Sequence, residues 1–152
     1  MGAAPIVDLI STHSDLAASA PRRSTHMAGI LVVDDHPTAR RTICTLLSEH
    51  DVCVCGEAMD GEEALLKVRK LKPDIVLLDI NMPVMNGIQA AYEIRRIAPS
   101  TKVIFLTIHD APETATVMRL LADDYVSKSA VGIKLIPMVK RLLQHQAETT
   151  RD

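Results

Sequence analysis

Five times along this chain, a short uninterrupted apolar run is followed by a stretch with helical periodicity. The first run, Gly29-Ile30-Leu31-Val32-Val33, ends in Asp34, and similar runs begin near Val52, Asp74, Lys102 and Asp123. Their apolarity is continuous rather than alternating, the mark of strands covered on both faces, as in a parallel sheet. Between them, Ala39, Ile43, Leu46 and Leu47 repeat at helical spacing after Pro37, which is placed for a first turn. Asp60 with Glu63 forms a capping-box-like start to a helix carrying Ala64, Leu65, Val68 and Leu71, which Pro73 stops. Asn86-Gly87 opens a third helix to about Ala98, and Pro112 opens a fourth. The last carries Leu135, Val139, Leu142 and Leu143, with Pro137 inside the pattern predicting a kink or a late start. Strict βα alternation of this kind implies an α/β fold: a five-stranded parallel sheet, doubly wound, with helices on both faces.

Composition narrows the function. The chain has 152 residues, room for one domain with at most a short tail. Aromatics supply only 2%, so the core is aliphatic and stacking platforms for single-stranded nucleic acid are excluded. A formal charge of −2 leaves no broad basic field for a phosphate backbone, so direct nucleic-acid binding by this segment is not expected. Lys134, Lys140 and Arg141 read as a solvated helix face. Three cysteines, Cys44, Cys53 and Cys55, are too few for a disulfide scaffold, lack the further ligands of a zinc site, and read as small buried hydrophobes; a reducing cytoplasm is expected. No apolar stretch is long enough to span a membrane.

Residues 1–26 are rich in Ala, Ser, Thr and Pro and read as a flexible extension, a tag or an upstream start preceding Met27. Ala18-Ser19-Ala20 resembles a signal-peptide cleavage site, but Asp8 and Asp15 break the apolar run and Pro21 follows the would-be cut, so a signal peptide is not expected. The domain is expected over 27–147, with 148–152 a tail or linker stub.

Open α/β sheets bind ligands at the carboxyl ends of their strands, where strand order reverses. In the order 2-1-3-4-5 that point lies between strands one and three. Strand one ends at Asp34-Asp35 and strand three at Asp79, so three carboxylates converge. Two such charges ~4 Å apart repel by roughly 4 kcal/mol at an effective dielectric of ~20, and a cation or a proton must compensate. An oxygen-only donor set points to Mg²⁺, with Mn²⁺ also accommodated. Strand four ends at Thr107 and strand five at Lys128, a hydroxyl and an ammonium suited to phosphoryl oxygens. An aspartate in such a site can itself be a nucleophile and form an aspartyl phosphate. His36 and His109 lie near this site, but a ligand role for either is not favoured.

The runs Leu31-Val32-Val33-Asp34-Asp35, Leu77-Leu78-Asp79-Ile80-Asn81-Met82-Pro83-Val84-Met85-Asn86-Gly87, Leu106-Thr107 and Tyr125-Val126-Ser127-Lys128 resemble a response-regulator receiver domain of the CheY-like, flavodoxin-like type. The wording around Asp35-His36-Pro37 and Val126-Ser127-Lys128-Ser129 is most similar to the NarL/FixJ branch. This resemblance implies that Asp79 is the phosphoacceptor. Asp35 would hold Mg²⁺, with Asp34 nearby and Asn81 lending its backbone carbonyl. Thr107 and Lys128 would contact the phosphoryl group, Tyr125 would be the aromatic switch coupled to Thr107, and Asn81 and His109 would tune phosphoryl lifetime. The implied donor is a histidine kinase or a phosphotransfer protein, and the implied output surface is helix four, strand five and helix five, read by a partner or by a second copy. Leu121 and Asp124 depart from the family pattern, standing where many members have glycine.

Three alternatives stand beside a phosphorylation-controlled switch. The chain could be the receiver piece of a LuxR-type DNA-binding regulator, since no output domain follows. It could be a Mg²⁺-dependent aspartyl phosphohydrolase, although Asp34-Asp35-His36-Pro37-Thr38 departs from the D-x-D-x-T signature and no cap domain fits. It could also be an interaction module indifferent to phosphorylation. Steady enzymatic turnover is not expected.

Overall fold

The computed structural model describes residues 28–108 and 112–151, with the side chains of 112–114 and 149–151 left aside. The elements alternate as expected: β1 (Gly29–Val33), α1 (Pro37–Glu49), β2 (Cys53–Ala58), α2 (Gly61–Leu71), β3 (Ile75–Asp79), α3 (Gly87–Ile97), β4 (Lys102–Thr107), α4 (Pro112–Leu121), β5 (Asp124–Ser127), a 3₁₀ turn (Lys128–Ala130) and α5 (Val131–Arg151). The five strands form one parallel sheet in the order β2-β1-β3-β4-β5.

Period-two alternation divides the strand side chains between two cores. Ile30, Val32, Ile75, Leu77, Ile104 and Leu106 face α1 and α5, meeting Ile43, Leu47, Leu135 and Val139. Leu31, Val33, Val76, Leu78, Val103 and Phe105 face the other way, against Ala64, Val68, Ala90, Ile94 and Met118 of α2, α3 and α4. Strands β1 and β3 are buried along their full length, which explains why their sequences read as unbroken apolar runs. Each fully buried Leu, Ile or Val contributes about 1.5–3 kcal/mol of transfer free energy.

Helix ends follow the sequence signals. Asp60 accepts from Glu63 N at 2.8 Å, and Asn86 forms a full capping box with Gln89. Pro37 occupies the first turn of α1. The late-start reading of α5 does not hold: the helix begins at Val131, with Pro137 in its interior. The backbone bond that Pro137 cannot make would reach the Ile133 carbonyl one turn earlier. Strand β2 carries a register shift opposite Ile30/Leu31, so Gly56 rather than Cys55 pairs with Leu31. The three cysteines are free and only partly buried, less than the sequence reading expected. Lys134 and Lys140 are solvated as anticipated, whereas Arg141 is paired with Asp124 at the start of β5. No helix among the described residues is long and apolar enough to cross a membrane. The expected extension at 1–26 lies outside the described residues.

Candidate functional site

The strand register assembles the acidic crevice. Val33 pairs with Leu78, so the next residues on each chain, Asp34 and Asp79, come to the same edge side by side. Both also share the alternation phase of Val32 and Leu77, and therefore point to the same side of the sheet. The Asp34 side chain is fully buried and Asp79 is 2% exposed, while Asp35 lies nearer the mouth.

Each acid is held in place. Asp34 N donates to Ala58 O at 3.1 Å, and Asp34 Oδ1 accepts from His36 N at 2.9 Å. Asn81 N donates to Asp79 Oδ1 at 3.3 Å. Lys128, the first residue of the 3₁₀ turn after β5, bridges the pair: its Nζ lies 2.9 Å from Asp34 Oδ2 and 3.3 Å from Asp79 Oδ2. Three carboxylates against one ammonium leave the crevice two charges negative. Burial and the Asp34 charge together push the Asp79 carboxyl up to about 6, against the pull of Lys128 in the opposite direction. Burial alone would lower the Lys128 ammonium, but its bonds to Asp34 and Asp79 outweigh that and hold it above the ordinary lysine range.

The residue types fit a divalent cation. One ligand atom from each of Asp34, Asp35, His36 and Asp79 lies within 4.8 Å of the others. The Thr107 Oγ1 at the end of β4 is buried without a hydrogen-bond partner, and such atoms are rare unless a ligand or water completes them. Hard carboxylate oxygens flanked by an orphaned hydroxyl and an ammonium suit Mg²⁺ together with a phosphoryl group.

The floor of the crevice is backbone. A Cβ on Gly87 would collide with the Asp79 carbonyl oxygen and lie 2.7 Å from Ile80 Cα, and Gly87 N donates to Ile80 O at 2.8 Å. Only glycine lets α3 begin so close under β3. A Cβ on Gly61 would stand 2.6 Å from Met85 O, fixing the far side of the same loop. Between them, Val84 has φ 69° with Met85 N bonded to Pro83 O at 2.8 Å, a tight γ-turn in a region β-branched residues avoid.

The structure thus brings Asp34, Asp35, Asp79, Thr107 and Lys128 to neighbouring strand ends. Asn81 is exposed at the mouth, and Tyr125 is half-buried against the core under α2, α3 and α4. His109 lies outside the described residues. Leu121 closes α4 and Asp124 opens β5, so neither departure from the family pattern interrupts an element. Sequence reasoning missed Arg40, whose Nη1 donates to Asp34 O at 2.7 Å while its Nε bonds Glu57 Oε1 at 2.9 Å. Its position four residues after His36, one turn into α1, is the signal that could have marked it.

Comparison with known proteins agrees with this geometry. Residues 30–140 match the response regulator receiver domain family. Protein CcdB of Bacillus subtilis (strain 168) is 38% identical over 120 residues, covering 78% of this chain and all of that protein. Response regulator GacA of Pseudomonas viridiflava is 34% identical over 122 residues, covering 79% of this chain but 57% of GacA, so the chain spans little more than half of that relative. The crystal structure of the response regulator domain of Thermotoga maritima CheB superposes with a TM-score of 0.70 at 31% identity, covering 78% of this chain and 98% of that one. A two-component signalling domain with a CheY-like fold accounts for the sheet order, the acidic strand ends and these relatives together: the chain belongs to the response regulator receiver domain family.

Proposed function

We propose that this chain is a phosphorylation-controlled switch whose phosphoacceptor is Asp79. The observation that carries the reading is the placement of the Asp79 carboxylate, buried at the end of a central strand, beside two further acids, the Lys128 ammonium and the unpartnered Thr107 hydroxyl. Receiver domains interact with histidine kinases or phosphotransfer proteins, so the donor is a phosphohistidine. An Asp79 carboxylate oxygen attacks phosphorus as the P–N bond breaks, and the electron pair leaves with the imidazole. Lys128 then meets the added negative charge, and the Thr107 hydroxyl donates a hydrogen bond to a phosphoryl oxygen. Asp34, Asp35, Asp79 and the Asn81 carbonyl hold Mg²⁺, with Mn²⁺ as a substitute; the ion supplies charge neutralisation at the transferring group.

The Tyr125 ring and the surface of α4, β5 and α5 carry the response to a partner or to a second copy of the chain. Asn81 and His109 set how long the acyl phosphate lasts. The partial coverage of GacA, with the likeness to LuxR-family response regulators, favours a second reading of the output, in which this receiver is one piece of a longer LuxR-type regulator. The domain is taken over 27–147.

Incubation with acetyl phosphate and Mg²⁺ followed by intact-mass measurement in acid tests the core of this reading. A single phosphoryl adduct is expected that requires Mg²⁺ and is absent from Asp79→Asn. An adduct that persists in that variant refutes the assignment.

A further inference from the structure

One nitrogen donor stands at the mouth beside the carboxylates, on the 69% exposed side chain of His36. His36 Nδ1 lies 3.0 Å from Asp35 Oδ1 and 3.5 Å from Asp34 Oδ1. Donor atoms around one ion at about 2.1 Å lie at most about 4.2 Å apart, so the four donors, already within 4.8 Å, need to contract only slightly. His36 is the N-cap residue of α1, yet its side chain makes no capping bond. The ring's orientation is therefore not explained by helix capping. Its backbone N–H, bonded to Asp34 Oδ1 at 2.9 Å, ties the base of the ring to the crevice. Thr107 Oγ1, buried and unpartnered, marks the same edge of the sheet as a place where a ligand completes the bonding.

We propose that His36 is a nitrogen ligand of this site, so that the chain favours Co²⁺, Ni²⁺ and Zn²⁺ over Mg²⁺ more strongly than an all-oxygen crevice does. The inference rests on the acidic crevice being a cation site, as proposed under the function of the chain. Carboxylate and carbonyl oxygens suit Mg²⁺ and Mn²⁺, whereas imidazole adds selectively to the affinity for the later transition metals. A hard, firmly hydrated Mg²⁺ gains little from a neutral nitrogen and keeps its waters. The chain would thus carry a phosphoacceptor site whose occupant depends on which divalent ion is abundant.

The test uses the full chain stripped with EDTA and titrated calorimetrically with Mg²⁺ and with Ni²⁺, counting only the Ni²⁺ that excess Mg²⁺ displaces. His36→Ala removes the donor without removing a helix cap. Ni²⁺ affinity is expected to fall about tenfold or more in the variant, with Mg²⁺ affinity changed less than about twofold. Spin-echo modulation of Cu²⁺ held at the site that excess Mg²⁺ displaces is expected to show imidazole ¹⁴N coupling in the wild type and none in His36→Ala. Equal changes for the two ions, no change in either, or no ¹⁴N coupling in the wild type overturns the role of His36. A wild type that binds Mg²⁺ while the variant is indifferent overturns this inference alone; one that binds no divalent cation overturns the cation site with it.

Discussion

Replacing Asp79 by Asn removes a negative charge from a crevice that already holds Asp34 and Asp35. Carboxylate oxygens within 4.8 Å repel by about 3 kcal/mol at an effective dielectric of ~20, and burial of Asp79 adds to the cost of its charge. Lys128, 3.3 Å away, returns part of this. The balance shows in the Asp79 carboxyl, pushed up to about 6 from an ordinary 3.8. A displacement of that size corresponds to a ceiling of about 3 kcal/mol, and water at the crevice mouth reduces the expected effect to about 1–2 kcal/mol. A carboxyl with a raised value costs stability when ionised. The cost is full above pH about 6, shrinks as the pH falls through the window, and vanishes below the unfolded value near 3.8. Asp79→Asn should therefore be more stable than the wild type by about 1–2 kcal/mol at pH 7.5 in EDTA, and the gap should close towards pH 4. The chain has no Trp, so urea unfolding followed by far-ultraviolet circular dichroism is the assay, with an unchanged slope as the control. Mg²⁺ should stabilise the wild type more than the variant. A variant less stable than the wild type at pH 7.5, with the same slope, would refute the reasoning: the bonds from Lys128 and Asn81 would then outweigh burial and repulsion.

The backbone around the crevice and at the opposite edge of the sheet supports further expectations, with stability measured by the same unfolding assay. Gly87→Ala forces a methyl group into the end of β3 and should cost about 2–3 kcal/mol, with weakened Mn²⁺ binding because Asp79 moves with the strand. Val84→Gly should raise stability by about 0.5–1 kcal/mol, since relief of the strained positive φ exceeds the entropy that glycine adds to the unfolded chain. Asn86→Ala loses the bond that Asn86 Oδ1 accepts from Gln89 N at the start of α3, keeps the backbone arm to Gln89 Oε1, and should cost about 1 kcal/mol. Thr101→Val leaves Pro73 O without the buried 2.9 Å bond it receives from Thr101 Oγ1 and should cost about 1–2 kcal/mol.

Much of this was legible in the sequence because two simple rules act together. Strands buried on both faces must be continuously apolar, and a chain that alternates them with helices of one-faced periodicity has few ways to wind. The strand ends then name the site, since Asp34, Asp79, Thr107 and Lys128 each stand at or immediately beyond the last residue of a run. Features that depend on distances across the fold were hidden. The closeness of Gly87 to the Asp79 carbonyl, the turn at Val84 and the reach of Arg40 to Asp34 are set by how α3 and α1 settle on the sheet. At Pro137 the pattern leaves a kink or a late start open, and the helix starts early, at Val131, and runs through the proline. The cysteines of β2 are only partly buried because β2 is an edge strand, a place in the sheet that the residue types do not reveal.

The pairing of Val33 with Leu78 has a consequence for folding as well as for chemistry. A slip of one residue between β1 and β3 would exchange the side chains destined for the two cores and, in the same movement, carry Asp34 out of step with Asp79. The aliphatic layers therefore act as a proofreader for the acids. No misaligned sheet that buries its apolar residues correctly can also present the paired carboxylates, so cation affinity reports on native strand alignment and rises only with the last, correct docking of β1 on β3.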